Sequence, residues 1–252
     1  MGGELSGLKA LVTGAGSGIG LATARMLAER GAVVGCLDLD VSEAADEFAA
    51  VRADVSEDSV GDAAAALAER LGGLDILVNN AGVMMRGTVE DADLAQWREV
   101  FEVNVFGMVR VTRGVLPWLR ASAQAAIVNN CSLSAVVGLP GSVPYASSKG
   151  AVYALTLAMA ADHLREGIRV NCVIPGPVDT PWVRRQLDLV PDPEEALRRA
   201  RNRQPNGRLA TAQEVAAAIC YLAGPLAAAT TGSSIRLDGG TTGVLLPTLD
   251  QA

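Results

Sequence analysis

Short apolar runs punctuate the chain, and between them lie longer stretches whose apolar residues return every three or four positions. The runs read as strands at Leu8–Val12 (LKALV), Ala32–Leu37 (AVVGCL), Ala49–Ala53, Leu74–Asn79 (LDILVN), Ala126–Asn130, Arg169–Ile174 and Ser234–Leu237. The longer stretches predict helices. The first carries Ile19, Leu21, Ala22, Ala24, Met26, Leu27 and Ala28 on an apolar face and ends at Gly31. Others are expected over Val60–Leu71, Leu94–Leu119, Tyr145–Arg165 and Ala212–Leu222, with an irregularity at Pro117 in the second of these. Strand and helix in alternation imply βαβ crossovers and a mostly parallel sheet covered by helices on both faces. No linker, repeat or low-complexity run divides the 252 residues, so the chain reads as one α/β domain, 1–252.

Ligands of open parallel sheets bind outside the carboxyl ends of the strands, where the strand order reverses. Gly14, Asp38, Asn80, Ser132 and Pro175 each fall just past an expected strand. The densest signal is TGAGSGIG, Thr13–Gly20, set between the first strand and the first helix. In that context Gly14 permits a tight turn, Gly18 lets backbone approach a pyrophosphate, and Gly20 lets the helix pack close on the strand. The helix N-terminus then offers unpaired N–H groups to the anion. A Rossmann-like, doubly wound sheet that binds a dinucleotide is therefore expected. Asp38 closes the second strand about twenty residues past the loop, placed to accept hydrogen bonds from the adenosine ribose hydroxyls. Its charge would repel a 2′-phosphate, and neither Ser17 nor Leu39 supplies a cation to hold one. The expected cofactor is NAD(H) rather than NADP(H).

Tyr145 and Lys149, in YASSK, stand four residues apart on an expected helix and so share a face. An ammonium beside a phenol favours the phenolate, which is expected to lower the tyrosine pKa toward the range of a proton-transfer catalyst. Ser132 lies thirteen residues before the tyrosine and offers a hydroxyl to hold the oxygen whose proton moves. The sole histidine, His163, falls near the far end of the same helix and reads as a packed or surface side chain.

Composition narrows the partners. Half of the residues are apolar, enough for a sizeable core, yet no uninterrupted apolar run approaches the ~20 residues of a membrane span. The N-terminus MGGELSGLKA lacks the basic-then-apolar pattern of a secretory signal, so a cytoplasmic enzyme is expected. A net charge of −7 without basic clusters argues against nucleic acid or anionic membrane as partners. Cys36, Cys131, Cys172 and Cys220 are scattered without metal-ligand spacing, so reduced structural thiols and no metal site are expected.

TGAGSGIG, the NNAG at Asn79–Gly82, Asn104, Ser132, YASSK and Pro175-Gly176 stand in one order and spacing, and over essentially its full length the chain resembles the classical short-chain dehydrogenases/reductases. The resemblance implies that Tyr145 is the acid/base, taking the alcohol proton as hydride leaves for the nicotinamide. It implies that Lys149 lowers the tyrosine pKa and holds the nicotinamide ribose, that Ser132 orients the substrate oxygen, and that Asn104 supports a water linking Lys149 to solvent. It further implies that Ser17 and Ile19 join the glycine loop in cofactor binding, that Asp54 and Val55 frame the adenine, and that Asn80, Ala81 and Gly82 line the cleft. It implies too that Pro175, Gly176 and Val178 join in cofactor binding, and that Thr180 matches a hydroxyl anchoring the nicotinamide carboxamide. Cys131 is a departure, because a serine often precedes the catalytic one. A homotetramer is also implied, pairing through the helices at Leu94–Leu119 and Tyr145–Arg165 and through the last strand.

The same resemblance places a substrate lid at about residues 177–210. Trp182 offers an apolar face there, and Arg184, Arg185 and Arg203 are candidate carboxylate partners, since arginine binds carboxylates bidentately. A solvated amphipathic helix would suit those arginines equally well. Ser134 is a further candidate for substrate contact, and Val83 to Arg86 form a mixed pocket wall. DTPWV, DP and RQPNGRL resemble the 2-keto-3-deoxy-L-fuconate dehydrogenase and L-fucose dehydrogenase-like branch. The expectation is thus NAD-dependent interconversion of a secondary alcohol and a ketone on a sugar acid or polyol. The alternatives are a reductase of 3-oxoacyl thioesters or alicyclic or steroid-like ketones, and a catalytically silent NAD-binding regulator. The apolar tail from Leu245 to Ala252 is expected to pack at an interface or near the substrate.

Overall fold

Because the strands are apolar at successive positions, they can be buried on both faces, and the fold uses this. The computed structural model describes residues 3–188 and 192–245, without the side chains of Trp182 and residues 186–188. Seven strands form one parallel sheet: β1 (Lys9–Thr13), β2 (Val33–Asp38), β3 (Ala49–Arg52), β4 (Ile76–Asn79), β5 (Ala126–Asn130), β6 (Arg169–Pro175) and β9 (Ser234–Leu237). Their order is β3-β2-β1-β4-β5-β6-β9, with Val12 beside Val78 and Val78 beside Val128 at the centre. The order reverses between β1 and β4, which is where a ligand crevice opens in such sheets. β7 (Val178–Asp179) and β8 (Ala210–Thr211) form a separate two-residue parallel ladder.

Alternation along each strand divides the core in two. Ala10, Val12, Ile76, Val78 and Val128 pack with Leu21, Ala24 and Leu27 of α1 (Gly18–Glu29) and Val215 and Ile219 of α9 (Ala212–Ala223). Leu11, Leu77 and Ile127 face the other way. They meet Leu67 of α3 (Val60–Leu71), Val111 and Val115 of α5 (Gly107–Ala121) and Met159 of α6 (Val143–His163). The remaining helices are α2 (Ser42–Ala45), α4 (Leu94–Phe101), α7 (Pro181–Asp188) and α8 (Pro193–Asn202). Reciprocal side-chain caps start two of them, Asp93 with Gln96 at α4 and Thr211 with Glu214 at α9.

Leu94–Leu119 departs from the single helix expected there. Helix α4 ends at Phe101, a π-helical turn covers Glu102–Phe106, and α5 then runs on to Ala121. The irregularity is at Asn104, not Pro117, which α5 passes through. Residues 113 and 117 are both exposed, so the carbonyl that proline leaves without an N–H partner faces water. Residues 177–210 hold α7, α8 and the β7–β8 ladder; the lid boundaries expected there include 189–191, which lie outside the described residues. Residues 246–252 of the tail also lie outside them, and Leu245 is exposed. No helix among the described residues is long and apolar enough to cross a membrane.

Candidate active site

β1 ends at Thr13 and hands the chain to the glycine loop. Gly14 has φ +64°, a conformation that side-chain-bearing residues rarely adopt, and its N–H donates to the Leu37 carbonyl at 2.8 Å. Helix α1 begins at Gly18, and Ser17 before it is exposed and makes no side-chain cap. The first-turn N–H groups therefore remain open to an anion. Asp38, the last residue of β2, accepts from Gly16 N at 2.8 Å and Asp40 N at 3.1 Å. A carboxylate has about four lone-pair sites, so acceptor capacity remains for ribose hydroxyls. Beyond β4, Asn80 donates to the carbonyls of Thr13 and Gly14, both at 3.0 Å, tying this turn to the loop. Ala81 N donates to Thr13 Oγ1 at 3.1 Å.

Helix α6 brings the charged and hydroxyl side chains to the ends of β5 and β6. It begins at Val143, two residues before Tyr145, with Pro144 in its first turn, where a missing N–H costs nothing. Lys149 is buried and donates from Nζ to the Asn130 carbonyl at 2.8 Å. That nitrogen is 5.9 Å from the Tyr145 ring centroid. Ser132 lies two residues past β5, its hydroxyl close enough to Tyr145 to favour the phenolate. Its hydroxyl also contacts Ser134, accepting from Ser134 N at 3.2 Å and reaching Ser134 Oγ at 3.4 Å. Both serines are buried.

The π-helical turn places Asn104 between the two halves of the site. Its Oδ1 accepts from Val83 N at 2.8 Å, and its Nδ2 donates to Val83 O at 2.9 Å and Ser148 Oγ at 3.0 Å. Ser148 in turn donates to the Tyr145 carbonyl at 2.7 Å. Asn104 thus joins the loop after β4 to the helix that bears Tyr145. Between them Gly82 matters as space: a Cβ there would lie 3.1 Å from Asn104 Oδ1 and 3.5 Å from Lys149 Nζ.

Electrostatics differ from the expectation at one point. Burial pushes the Tyr145 phenol up, with the Ser132 hydroxyl opposing it and the neighbouring Cys131 adding to it. Tyr145 keeps some exposed surface, yet the protein packed around it penalises the phenolate more than the Ser132 hydroxyl relieves it. Burial likewise lowers Lys149 to about 8, which weakens its ability to stabilise the phenolate. Cys131 is drawn down by a hydrogen bond from Cys172 and by the Lys149 charge, and Cys172 is pushed up in return. The Cys131 thiol also donates to the Lys149 carbonyl at 3.2 Å, a link the sequence pattern did not reveal. All four cysteines are buried and free. No cluster of three or more possible metal ligands occurs among the described residues.

The outlying candidates divide. Asp54 accepts from Ser56 N and Oγ at 2.8 and 2.7 Å, and buried Val55 presses against Gly107. Gly176 N donates to Leu237 O at 3.0 Å, just past Pro175 at the end of β6. Val178 and Thr180 are buried, and Thr180 faces the glycine loop closely enough that a Cβ at Gly18 would be 3.6 Å away. Ile19 is half-buried beside it. The Trp182 side chain lies outside the described residues. Arg184, a candidate partner for a substrate carboxylate, makes a bidentate pair with Asp179 at 2.7 and 2.9 Å. The guanidinium is charge-complemented locally and holds the Asp179 carboxyl below its usual range. Arg185 and Arg203 are exposed. His163 pairs with Glu166 at 2.8 Å, near the far end of α6.

These residues fit a nicotinamide dinucleotide: an open helix N-terminus for its pyrophosphate, a carboxylate with spare acceptors for its adenosine ribose, and a buried ammonium beyond. Comparison with known proteins agrees. A family model described as enoyl-(acyl carrier protein) reductase matches residues 14–242. The chain is 41% identical over 248 residues to cis-4-hydroxycyclohexanecarboxylate dehydrogenase of Sinomonas cyclohexanicum, covering 93% of this chain and 96% of that one. It is 37% identical over 250 residues to 2-(R)-hydroxypropyl-CoM dehydrogenase of Xanthobacter autotrophicus, covering 93% and 98%. The solved structure of ligand-free Thermoplasma acidophilum aldohexose dehydrogenase superposes with a TM-score of 0.90 at 30% identity, covering 98% of this chain and all of that one.

Proposed function

The chain belongs to the classical short-chain dehydrogenase/reductase family, and on that premise we propose that it is an NAD-dependent dehydrogenase interconverting a secondary alcohol and a ketone. The observation that carries this reading is the convergence of Tyr145, Ser132 and Lys149 beside the glycine loop, with Asn104 tying their helix to the opposite wall. Tyr145 takes the alcohol proton, and Ser132 holds the substrate oxygen against it. Lys149 holds the nicotinamide ribose and favours the phenolate, while Asn104 keeps Val83 and Ser148 in place and supports a water that reaches Lys149. When bound, the nicotinamide supplies the hydride acceptor. Ser17, Gly18, Ile19 and Gly20 receive the pyrophosphate, Asp54 and Val55 the adenine, and Pro175, Gly176, Val178 and Thr180 the nicotinamide. Residues 177–210 act as a lid.

Asp38 supports NAD as the cofactor, because a 2′-phosphate would meet its carboxylate at the adenosine ribose. Asp38→Asn keeps an acceptor but removes the charge. The ratio of kcat/KM for NAD+ over NADP+ is expected to fall about tenfold or more, the scale of relieved like-charge repulsion. An unchanged ratio would remove Asp38 from cofactor choice.

The substrate we favour is a sugar acid or polyol. Exposed Arg185 and Arg203 remain available to a carboxylate in the lid segment. A second reading, an alicyclic hydroxy acid, is favoured by the similarity to the cis-4-hydroxycyclohexanecarboxylate enzyme. Steady-state assays with NAD+ over sugar acids, polyols and cis-4-hydroxycyclohexanecarboxylate separate the two, and activity on none of these would refute both. For assembly, Phe106 before α5 and Leu157 on α6 are 47% and 41% exposed, and Ala154, Ala158 and Ala161 of α6 are also exposed. We propose that this apolar face pairs subunits in a homotetramer. Light scattering is expected to give four times the chain mass, and a monomer at micromolar concentration would contradict it.

A further inference from the structure

Asn130 is the last residue of β5, and three of its groups bear on the site. Its backbone carbonyl holds Lys149 Nζ at 2.8 Å. Its Nδ2 donates to Asn80 Oδ1 at 2.9 Å. Asn80 in turn spends its own Nδ2 on the carbonyls of Thr13 and Gly14 in the glycine loop. Those two bonds fix which end of the Asn80 amide is oxygen, and so which end of the Asn130 amide must be nitrogen. Flipping Asn130 would set two amide oxygens against each other. The orientation that results leaves Asn130 Oδ1 buried and without a hydrogen-bond partner in a residue 9% exposed.

A buried acceptor without a donor is costly, and native proteins rarely keep one without a use. Among the described residues only one other side-chain atom shares this state, Asn79 Oδ1. Asn79 points to the opposite face of the sheet, where its Nδ2 meets Thr112 and Asn129 at 3.2 and 3.0 Å. That network ends on Thr156 of α6, away from the glycine loop. Asn130 instead sits between the loop and Lys149, on the side of the sheet where Asn80 stands. Nothing in the proton-transfer arrangement uses its side chain.

We propose that Asn130 is a cofactor-binding residue whose Oδ1 accepts a hydrogen bond from the nicotinamide riboside half of the dinucleotide. The inference rests on the nicotinamide-binding reading above. That half carries two kinds of donor, the ribose hydroxyls and the carboxamide N–H, and either satisfies the same orphaned oxygen. Binding then repairs a defect of the free protein, so the contact contributes to affinity both as a new hydrogen bond and as relief of an unpaired acceptor. Asn130 also links the contact mechanically to Lys149 and to the glycine loop, through its carbonyl and through Asn80.

The test is cofactor affinity measured by calorimetry, not turnover. Asn130→Leu keeps the volume and removes the acceptor. The variant is expected to bind NADH about tenfold more weakly, the scale of one buried hydrogen bond, while ADP, which lacks the nicotinamide riboside, binds as it does to the wild type. A 3-acetylpyridine analogue of NAD+, without a carboxamide N–H, then assigns the donor. The tenfold gap between wild type and variant persists with the analogue if a ribose hydroxyl donates, and closes if the carboxamide does. Equal NADH affinity for the two proteins, or an equal loss for NADH and ADP, would overturn the proposal, the latter by showing that the glycine loop has moved. Wild-type protein that binds neither NADH nor ADP would instead defeat the cofactor reading itself. Should Asn130→Leu fail to fold, a crystal structure of the wild type with NADH decides: a riboside donor within hydrogen-bonding distance of Oδ1 supports the proposal, and an Oδ1 still unpartnered overturns it.

Discussion

Tyr145→Phe is expected to lower turnover at least a hundredfold, the usual range for loss of a positioned acid/base being about 10²–10⁴, while NADH affinity stays within about twofold of the wild type. Phenylalanine removes one oxygen from a ring already packed in α6, and no backbone hydrogen bond depends on that oxygen. The Ser132 hydroxyl keeps its contacts with Ser134. Calorimetry with NADH and steady-state rates on the same preparation separate the two effects. The pH dependence has a definite sign. Burial raises the Tyr145 phenol, so the base needed to oxidise an alcohol is scarce at neutral pH. Oxidation should therefore speed, and ketone reduction slow, as pH rises. Turnover retained near the wild-type level in Tyr145→Phe would remove the tyrosine from the chemistry.

Lys149→Met should cost a similar factor in turnover and yet raise stability. The folded lysine has its pKa lowered from 10.5 to about 8 by burial. Between those values the unfolded chain holds a proton that the folded one has released, so unfolding free energy rises with pH across that window. Below pH 8 the folded protein carries the full penalty of a desolvated ammonium, about 3 kcal/mol at 1.36 kcal/mol per pKa unit. Methionine fills similar volume without charge and gives up the charge-assisted bond to the Asn130 carbonyl, about 2 kcal/mol. The net gain of about 1 kcal/mol corresponds to a rise in Tm of about 2–4 °C at neutral pH for a chain of this size. The difference should shrink as pH climbs from 8 toward 10.5. Thermal scans over that range check it; a variant less stable at neutral pH would make Lys149 a structural brace.

Much of this architecture can be read from the chain because it depends on local pattern. The apolar runs made the strands, and the glycines of TGAGSGIG needed a turn between strand and helix that only a phosphate-binding geometry uses well. Tyr145, Lys149 and Ser132 could be paired by spacing because a helix and a strand end set their separation. What stayed hidden depends on tertiary contact. Proline at 117 advertised a break that solvent made unnecessary, whereas the π-helical turn carries Asn104 to partners, Val83 and Ser148, that lie 21 and 44 residues away. Arg184 carried a charge whose partner, Asp179, became evident only once α7 was formed. The tyrosine pKa was expected to fall because the sequence places an ammonium nearby but gives no measure of desolvation. Asn130 read as the end of an apolar strand, and its orphaned oxygen emerges only from the bonds around Asn80.

The most direct test of the account mixes the protein with NAD+ and a secondary alcohol bearing a carboxylate, and follows formation of NADH together with the ketone. We expect NADH and ketone in equal amounts, with NADP+ at least tenfold less effective. No NADH from any secondary alcohol, in protein that calorimetry shows to bind the cofactor, would contradict it.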